Sequence, residues 1–309
     1  MMVCIASRQM RSGAGRGRAR AVRYLRVMSF IALGVLISWL WQPRSFAGAA
    51  RIVSLSPSVT ETLFALGAGP QVVGVSQYCD YPPAARELPR VGSYLEPNIE
   101  AIIGLRPTLI IGAWMSSDLP AFESLTTMGY TTLIVKDNSL DQIEQSIWQI
   151  GQRTGHAEAA RGLITKITTH LAEVRQRLEG VKPCRVLMVV GHQPMIAVGR
   201  GTFLDELLRI AGGRNIADKA AGDWPHLSIE YIVAMKPEVI LDGEMGDDPT
   251  VPDRFWSRYS TIPAVRSHRI YGYPEDPTLR PGPRVWQSLD ILVARIHPQV
   301  PKPAPQSDR

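Results

Sequence analysis

Four aromatic residues stand at the ends of predicted strands and helices, where loops would bring them together. They are Tyr78, Tyr94, Trp114 and Trp224. Loops on a rigid scaffold are where binding groups concentrate. Aromatic walls with a few hydrogen-bonding groups suit a broad, flat and mostly apolar ligand. Partial burial under a loop would explain each residue singly, but as a set they predict the walls of a binding cleft.

Two glutamates occupy the same place in two copies of one phrase. Residues 98–111 read NIEAIIGLRPTLII and residues 228–241 read SIEYIVAMKPEVIL, so Glu100 and Glu230 each lie two residues past a cap. The helix dipole stabilises an acid in the first turn of a helix, which explains both carboxylates without a partner. Matching positions on two similar units would also suit two basic pockets on a symmetric partner. Nearby alternatives for such a contact are Glu96 and Glu244.

Signatures of catalysis and of metal binding are weak in this sequence. It has no G-x-S-x-G elbow and no P-loop. The segment LGAGPQ follows a helix, whereas a dinucleotide-binding fingerprint follows a strand. No two histidines have close metal-ligand spacing; His192 and His226 could face a cleft, but a lone loop histidine is more often a surface residue. We therefore expect a protein that is not an enzyme and uses no catalytic cofactor.

The repeated phrase predicts a short helix followed by a strand in each copy. Asn98 or Ser228 caps the helix, and Pro107 or Pro237 ends it, because proline disfavours helix in the preceding residue. The runs TLIIG and EVILD then form apolar strands of the kind buried in parallel sheets. A second similar pair, TETLFALGAG and FLDELLRIAGG, precedes the two copies in the same order. The sequence therefore predicts an α/β fold of two similar parallel-sheet lobes.

A long amphipathic segment, residues 156–180, separates the two halves. The apolar side chains on one helical face are Leu163, Ile164, Ile167, Leu171, Val174 and Leu178. About 24 residues form a helix of roughly 36 Å, which is long enough to join two lobes. The predicted organisation is a first lobe at 51–153, a connecting helix at 154–181, a second lobe at 182–298 and a disordered tail at 299–309.

Residues 1–49 have the organisation of a secretory signal peptide. Residues 1–26 contain seven arginines and no acid, and an apolar run of 15 residues follows from Val27 to Trp41. Ala47 and Ala49 then form an A-x-A-like cleavage site. The apolar run is short of the roughly 20 residues of a spanning helix. An uncleaved membrane anchor is the alternative.

Removal of this segment changes the charge of the chain. Residues 1–50 contain eight of the 34 basic residues and none of the 28 acidic ones, so 26 basic and 28 acidic residues remain, a net charge near −2. We therefore expect no nucleic-acid partner. Cys79 and Cys184 also remain, and an oxidising compartment would permit one disulfide between them. We expect free, buried thiols instead.

The whole layout resembles the substrate-binding proteins of ABC importers in which one long helix joins two lobes. The motifs that carry the resemblance are RIVSLSPSVTETLFALGAG, VVGVS and IEAIIGLRP, and it extends from Arg51 to about Pro298. That family carries cobalamin, haem or iron-siderophores across the periplasm. The resemblance implies a ligand cleft between the lobes, a periplasmic monomer and a permease dimer in the inner membrane as partner. It also implies that Glu100 and Glu230 dock onto arginines of the permease.

Within that family, the cobalamin-binding members are the most similar. QYCDYPP, VGSYLEPNIE and DWPHLSIE resemble their segments that place aromatic side chains against the ligand. The resemblance gives this role to Tyr78, Tyr94, Trp224 and, near a further aromatic position, Trp114. DPTLRPGPR resembles a stretch with an acid and an arginine four residues apart, here Asp276 and Arg280. It implies that these two recognise amide or carboxylate groups, although they could also form a simple surface pair.

Haem and ferric siderophores are the alternative ligands. The resemblance to haem-binding members would place a tyrosine ligand immediately after the VG of VGSY, where this chain has Ser93. A siderophore site would favour several cleft arginines, which Arg280 and Arg284 allow. Some cobalamin-binding members have a disulfide in the second lobe, but Ala211 takes the place of its cysteine here. Because Ser93 departs from the haem pattern and the aromatic segments resemble those of cobalamin-binding members, the resemblance implies cobalamin or a related corrinoid as the ligand.

Overall fold

The structure is a computed structural model that describes residues 50–93, 96–114, 119–243 and 255–300. The predicted signal peptide at 1–49, Tyr94, Glu244 and residues 301–309 of the predicted tail lie outside the described residues. Within the described ranges, no helix combines the length and the apolar character that a bilayer crossing requires.

The first lobe is built on a parallel sheet whose strand order is β2-β1-β3-β4. Its strands are β1 (Ile52–Ser54), β2 (Val72–Val75), β3 (Leu109–Ala113) and β4 (Thr132–Val135), and its helices are α1 (Pro57–Ala65), α2 (Ile99–Gly104) and α3 (Leu119–Thr127). Successive residues of β1 point to opposite faces of the sheet: Ile52 packs in one apolar cluster and Val53 in another. The sheet is therefore covered on both faces, which explains why the strands are continuously apolar.

Helix α4 (Leu140–Thr154) and the connecting helix α5 (Ala157–Arg177) lead from the first lobe to the second. Gly155 separates them, with a left-handed φ of +79° that ends α4. The 21 residues of α5 span about 32 Å. Ile167, Leu171 and Val174 are buried on the predicted apolar face. The connection thus consists of two helices in sequence, of which α5 is the long one.

The second lobe repeats the architecture with one difference. Its strands are β5 (Cys184–His192), β6 (Met195–Ala197), β7 (Gly213–Asn215), β8 (Val239–Asp242) and β9 (Ile270–Gly272), and its helices are α6 (Phe203–Ile210), α7 (Ile229–Met235), α8 (Pro263–Arg266), α9 (Glu275–Thr278) and α10 (Val285–Ile296). The order is β6-β5-β8-β9, and β7 also pairs with β5. Strands β7 and β8 run parallel to β5, whereas β6 folds back antiparallel to it. The sheet is therefore mixed, and the prediction of a parallel sheet holds for all of these strands except β6.

The repeated phrase forms the same helix–strand unit in both lobes, α2–β3 and α7–β8. The Asn98 side chain accepts a hydrogen bond from the Ala101 N–H at 2.9 Å, and the Ser228 hydroxyl accepts one from the Tyr231 N–H at 3.2 Å. The residues before the two prolines, Arg106 and Lys236, have left-handed φ values of 50° and 51°. The prediction of two similar α/β lobes is confirmed.

Both described cysteines are free thiols. Cys79 is buried, and its burial raises the pKa of the thiol. Cys184 is half-buried at the start of β5. The expectation of free thiols therefore agrees with the structure, but the expectation that both are buried is wrong for Cys184.

Candidate functional site

A cleft of about 780 Å³ lies between the two lobes. On the first-lobe side, Trp114 directly follows β3, and Lys136 and Asp137 directly follow β4. These residues are close because the carboxyl ends of neighbouring parallel strands meet at one edge of the sheet. On the second-lobe side, the cleft is lined by Phe203, the first residue of α6, and by Trp224 in the loop before α7.

Polar contacts cross between the lobes along this cleft. The Asn138 Nδ2 donates to Asp223 Oδ2 at 3.0 Å. The backbone carbonyl of Asn138 accepts a hydrogen bond from the N–H of Phe203 at 2.6 Å. Asn138 and Asp223 are exposed, so these contacts leave the cleft accessible to a ligand.

Two of the predicted aromatic residues line this cleft and keep much of their surface in solvent. Trp114 is 49% exposed and Trp224 is 45% exposed. Tyr78 is 50% exposed but is not among the residues that line the cleft. Tyr94 lies outside the described residues. Large exposed aromatic surface facing a concave space marks an interaction site.

Lys136 and Asp137 give the cleft a basic and an acidic group on adjacent residues. The Lys136 Nζ lies 5.7 Å from the centre of the Trp114 ring, within the range of a cation–π contact. The Asp137 Oδ2 accepts a hydrogen bond from the Ser58 hydroxyl at 3.0 Å. Burial raises the pKa of Asp137 to about 6, against the opposing effect of that hydrogen bond.

An ion-pair network joins the lobes beside the cleft. It consists of Glu61 and Asp80 from the first lobe and Asp276, Arg280 and Arg284 from the second. Glu61 is buried and accepts hydrogen bonds from Arg280 Nη1 at 3.0 Å and from Arg284 Nε at 2.7 Å and Nη2 at 2.6 Å. A buried carboxylate is stable only when it is paired and hydrogen-bonded in this way.

Asp80 and the two arginines complete the network. Arg280 Nη2 donates to Asp80 Oδ1 at 2.6 Å. Burial acts to raise the pKa of Asp80, but the hydrogen bond and charge of Arg280 outweigh it and lower that pKa. Burial likewise acts to lower the pKa values of Arg280 and Arg284, but their hydrogen bonds to acids raise both. The Arg284 guanidinium also lies 3.7 Å from the centre of the Tyr81 ring.

This network determines where the predicted pair of Asp276 and Arg280 lies. Leu279 and Pro281, on either side of Arg280, line the cleft, so the segment does reach it. The Arg280 guanidinium contacts Glu61 and Asp80, and its distance to Asp276 Oδ2 is 3.7 Å. Asp276 also pairs with Arg284. The two predicted side chains are therefore engaged by protein groups beside the cleft.

Glu100 and Glu230 are exposed in the first turns of α2 and α7. They occupy matching positions in the two lobes, as the repeat predicts. Hydrogen bonds from its own N–H and from the Ser228 hydroxyl lower the pKa of Glu230. The alternative Glu96 is exposed before α2, and Glu244 lies outside the described residues.

The two candidate histidines of the second lobe differ in their surroundings. The His192 Nε2 lies 2.7 Å from Oδ2 of the buried Asp242, which also accepts a hydrogen bond from Trp256 Nε1 at 2.6 Å. Phe255 stacks on the imidazole, with ring centres 4.1 Å apart. His226 is exposed. Neither lines the cleft, and no three His, Cys, Asp or Glu side chains among the described residues gather into a metal-binding group.

Sequence reasoning missed several charged groups in and beside the cleft, among them Lys136, Asp137 and Glu61. Lys136 and Asp137 had a detectable signal, because they follow an apolar strand at the same strand end as Trp114. Glu61 stands among the apolar residues of α1, but its arginine partners are 219 and 223 residues away. No local pattern identifies such partners.

The sequence of this chain matches that of a known protein family. The model of a family described as periplasmic binding protein matches residues 52–277, most of the described part of the chain. The chain belongs to the periplasmic binding protein family. Members of this family bind small-molecule ligands and work with ABC importer permeases.

Two relatives show what this periplasmic binding protein is similar to in sequence and in structure. The vitamin B12-binding protein of Photorhabdus laumondii is 31% identical over 253 residues, which are 82% of this chain and 90% of the relative. The solved vitamin B12-binding protein of Vibrio cholerae is 28% identical with a TM-score of 0.72, covering 80% of this chain and 96% of that one.

A haem-binding relative is similar to this periplasmic binding protein to the same degree. The periplasmic heme-binding protein of Roseiflexus sp. RS-1, solved in its apo form, is 30% identical with a TM-score of 0.73. The match covers 82% of this chain and 100% of that one. This chain is therefore similar both to vitamin B12-binding and to haem-binding proteins.

Proposed function

We propose that this periplasmic binding protein is the substrate-binding component of an ABC importer and that its ligand is cobalamin or a related corrinoid. The observation that carries the proposal is the cleft of about 780 Å³ between two half-exposed tryptophans, Trp114 and Trp224. A broad, flat ligand covers such walls, and most of its binding free energy comes from the apolar area that both partners remove from water. The vitamin B12-binding relatives support the same ligand.

The side chains of the cleft favour a corrinoid over haem. Haem proteins hold the iron through His, Cys, Met or Tyr side chains. The described residues that line the cleft are of other types, and this proposal gives the tyrosines of the site, Tyr78 and Tyr94, the role of aromatic walls and not of metal ligands. A cobalamin brings its own cobalt ligands and needs no such side chain. Haem remains the second candidate because a haem-binding relative matches the chain equally well.

Export and delivery complete the proposed function. Residues 1–49 act as a signal peptide, and the exported monomer meets a permease dimer in the inner membrane. Glu100 and Glu230 dock onto basic pockets of the two permease subunits, since both are exposed and occupy matching positions in the lobes. Tyr78, Tyr94, Asp276 and Arg280 belong to the ligand site in this proposal, with Asp276 and Arg280 acting through the ion-pair network.

Titration of the chain recovered from the periplasmic fraction tests the ligand. Cyanocobalamin and hemin are added separately while tryptophan fluorescence and the visible spectrum are followed. We expect saturable quenching by cyanocobalamin at micromolar or lower concentration. Stoichiometric hemin binding with a shifted Soret band and no response to cyanocobalamin would replace the corrinoid by haem. Mass spectrometry of the same sample tests cleavage after Ala47 or Ala49.

Uptake of labelled cyanocobalamin by cells that depend on this importer tests docking. Replacing Glu100 or Glu230 by Arg should abolish uptake and leave ligand affinity unchanged, because the permease pockets are basic. Glu158→Arg is a matched control, since Glu158 is an exposed acid in the first turn of α5. Equal uptake by all three variants would refute the docking role.

A further inference from the structure

Lys136 and Asp137 present opposite charges at one edge of the open cleft. Both follow β4, whose carboxyl end adjoins that of β3, and Trp114 extends from β3 into the same cleft. The Lys136 side chain is exposed and lies 5.7 Å from the centre of the Trp114 ring. A flat ligand that covers Trp114 therefore has its edge within reach of this ammonium group.

Asp137 is fixed more firmly than Lys136. Its Oδ2 accepts the hydroxyl of Ser58, which is itself buried in the first turn of α1. The Ser58 hydroxyl also lies 2.9 Å from that of Ser56. A carboxylate can accept about four hydrogen bonds, so the bond to Ser58 uses only part of its capacity.

Building on the proposed function, we propose that Lys136 and Asp137 recognise a carboxamide group at the edge of the ligand. The amide carbonyl would accept a hydrogen bond from the Lys136 ammonium, and the amide nitrogen would donate one to the Asp137 carboxylate. Corrinoid rings carry primary carboxamides around their edge, whereas the haem edge carries carboxylates. A ligand carboxylate would meet the like charge of Asp137, and like charges in an interface are strongly unfavourable.

The contacts of Arg280 and Asp276, the other acid and base near the cleft, support this assignment. Arg280 and Asp276, which the sequence predicts for the same role, make their shortest contacts with Glu61, Asp80 and Arg284. Lys136 and Asp137 have no ion pair with each other within 4.0 Å among the described contacts. A carboxamide between them would connect the two groups through its two ends.

Cyanocobalamin and its separated monocarboxylic acid derivatives test the proposal, because each derivative replaces one edge amide by a carboxylate. Affinities are measured at pH 7.5 with the chain recovered from the periplasm. We expect the wild-type protein to bind at least one derivative about tenfold more weakly than cyanocobalamin. In Asp137→Asn this ratio should fall to about threefold or less. In Lys136→Met it should increase, because the acid is then left without the base.

The opposite signs of the two changes distinguish recognition from a structural role. Asp141→Asn and Lys166→Met are matched controls: Asp141 is an exposed acid on α4, and Lys166 lies 5.0 Å from the centre of the Trp286 ring, away from the cleft. Because Lys136 is exposed, Lys136→Met should fold, and its affinity ratio tests the proposal even if Asp137→Asn does not fold. Ratios like those of the controls, or equal wild-type affinity for all derivatives, would overturn this inference alone. No wild-type binding of any corrinoid would overturn the proposed function together with it.

Discussion

Two places where the lobes meet, the ion-pair network and the open cleft, differ in almost every physical respect. In the ion-pair network, the Glu61 side chain is 1% exposed and receives three hydrogen bonds from two arginines. In the open cleft, Trp114 and Trp224 are about half exposed, and the bond between Asn138 and Asp223 lies at the surface. The network is therefore complete without a ligand, whereas the cleft leaves apolar surface uncovered.

This difference separates the residues that hold the lobes together from those that bind. Buried ion pairs fix a geometry, because removing one partner leaves a charge without compensation. Exposed aromatic surface adds little to folding but gains free energy when a ligand covers it. We therefore expect the removal of Glu61 from the network to act mainly on stability, and the removal of an exposed tryptophan from the cleft to act mainly on affinity.

The largest expected effect on stability comes from Glu61→Ala. It removes the acid that receives three hydrogen bonds of the network, although Arg280 keeps Asp80 and Arg284 keeps Asp276, and should lower the free energy of unfolding by about 2–4 kcal/mol, measured by urea denaturation. Glu158→Ala, which breaks an exposed pair with Arg161, should cost less than about 1 kcal/mol. Similar losses for the two variants would show that the network does not hold the lobes together.

Trp224→Ala tests the other side of the comparison. We expect the affinity for cyanocobalamin to fall by about 10- to 100-fold, because an aromatic wall of the cleft is removed. The free energy of unfolding should change by less than about 1 kcal/mol, since the side chain is 45% exposed. Trp148→Ala, on α4 and away from the cleft, is the control for affinity. A large loss of stability in Trp224→Ala would contradict the separation.

Asp137 is the residue of the cleft for which we expect a pH-dependent effect on stability. Its pKa rises from about 3.8 in an unfolded chain to about 6 in the folded one. Between these values the folded state binds the proton more tightly, so stability falls as the pH rises from about 4 to 6 and then stays level. The Ser58 hydroxyl contacts its carboxylate, and the other charged groups that line the same cleft are the Lys136 ammonium and the Asp223 carboxylate.

Asp137→Asn should remove this dependence. The variant should be more stable than the wild type by about 1–3 kcal/mol at pH 7 and by much less at pH 4. Thermal unfolding across this pH range measures the difference. An equal gain in stability at both pH values would show that it comes from changed packing and not from the protonation of Asp137.

The smallest effect is expected for Asn138→Ala, which removes the exposed hydrogen bond to Asp223 in the open cleft. The free energy of unfolding should fall by less than about 1 kcal/mol, because water replaces an exposed partner. Chemical denaturation of Asn138→Ala and Glu61→Ala under the same conditions measures the two losses. A loss comparable to that of Glu61→Ala would mean that this exposed hydrogen bond stabilises the fold as much as the buried network does.

The fold was predictable because its signals are local and repeated. Asn98 and Ser228 cap their helices, and Pro107 and Pro237 follow the helix ends, so each unit is specified within about ten residues. The antiparallel β6 was missed because the three residues of MIA carry no period to read.

The candidate site was only partly predictable. Trp114 and Trp224 could be found from their loop positions, and both line the cleft. The partners of Arg280 could not be found, because Glu61 and Asp80 are 219 and 200 residues away and a charge in a sequence does not name its partner. Side chains that pair across lobes are specified by packing and not by local pattern.

The separation in sequence between Glu61 and its arginines has a consequence for the order of folding. A chain made from its N-terminus completes the strands of the first lobe by Val135, but Arg280 and Arg284 emerge only near the end of synthesis. Until then, an isolated first lobe would have to bury the Glu61 charge alone or keep that part of its surface hydrated. The surroundings of Glu61 are therefore completed only when the second lobe is present, whereas the strands of the first lobe can pair before then.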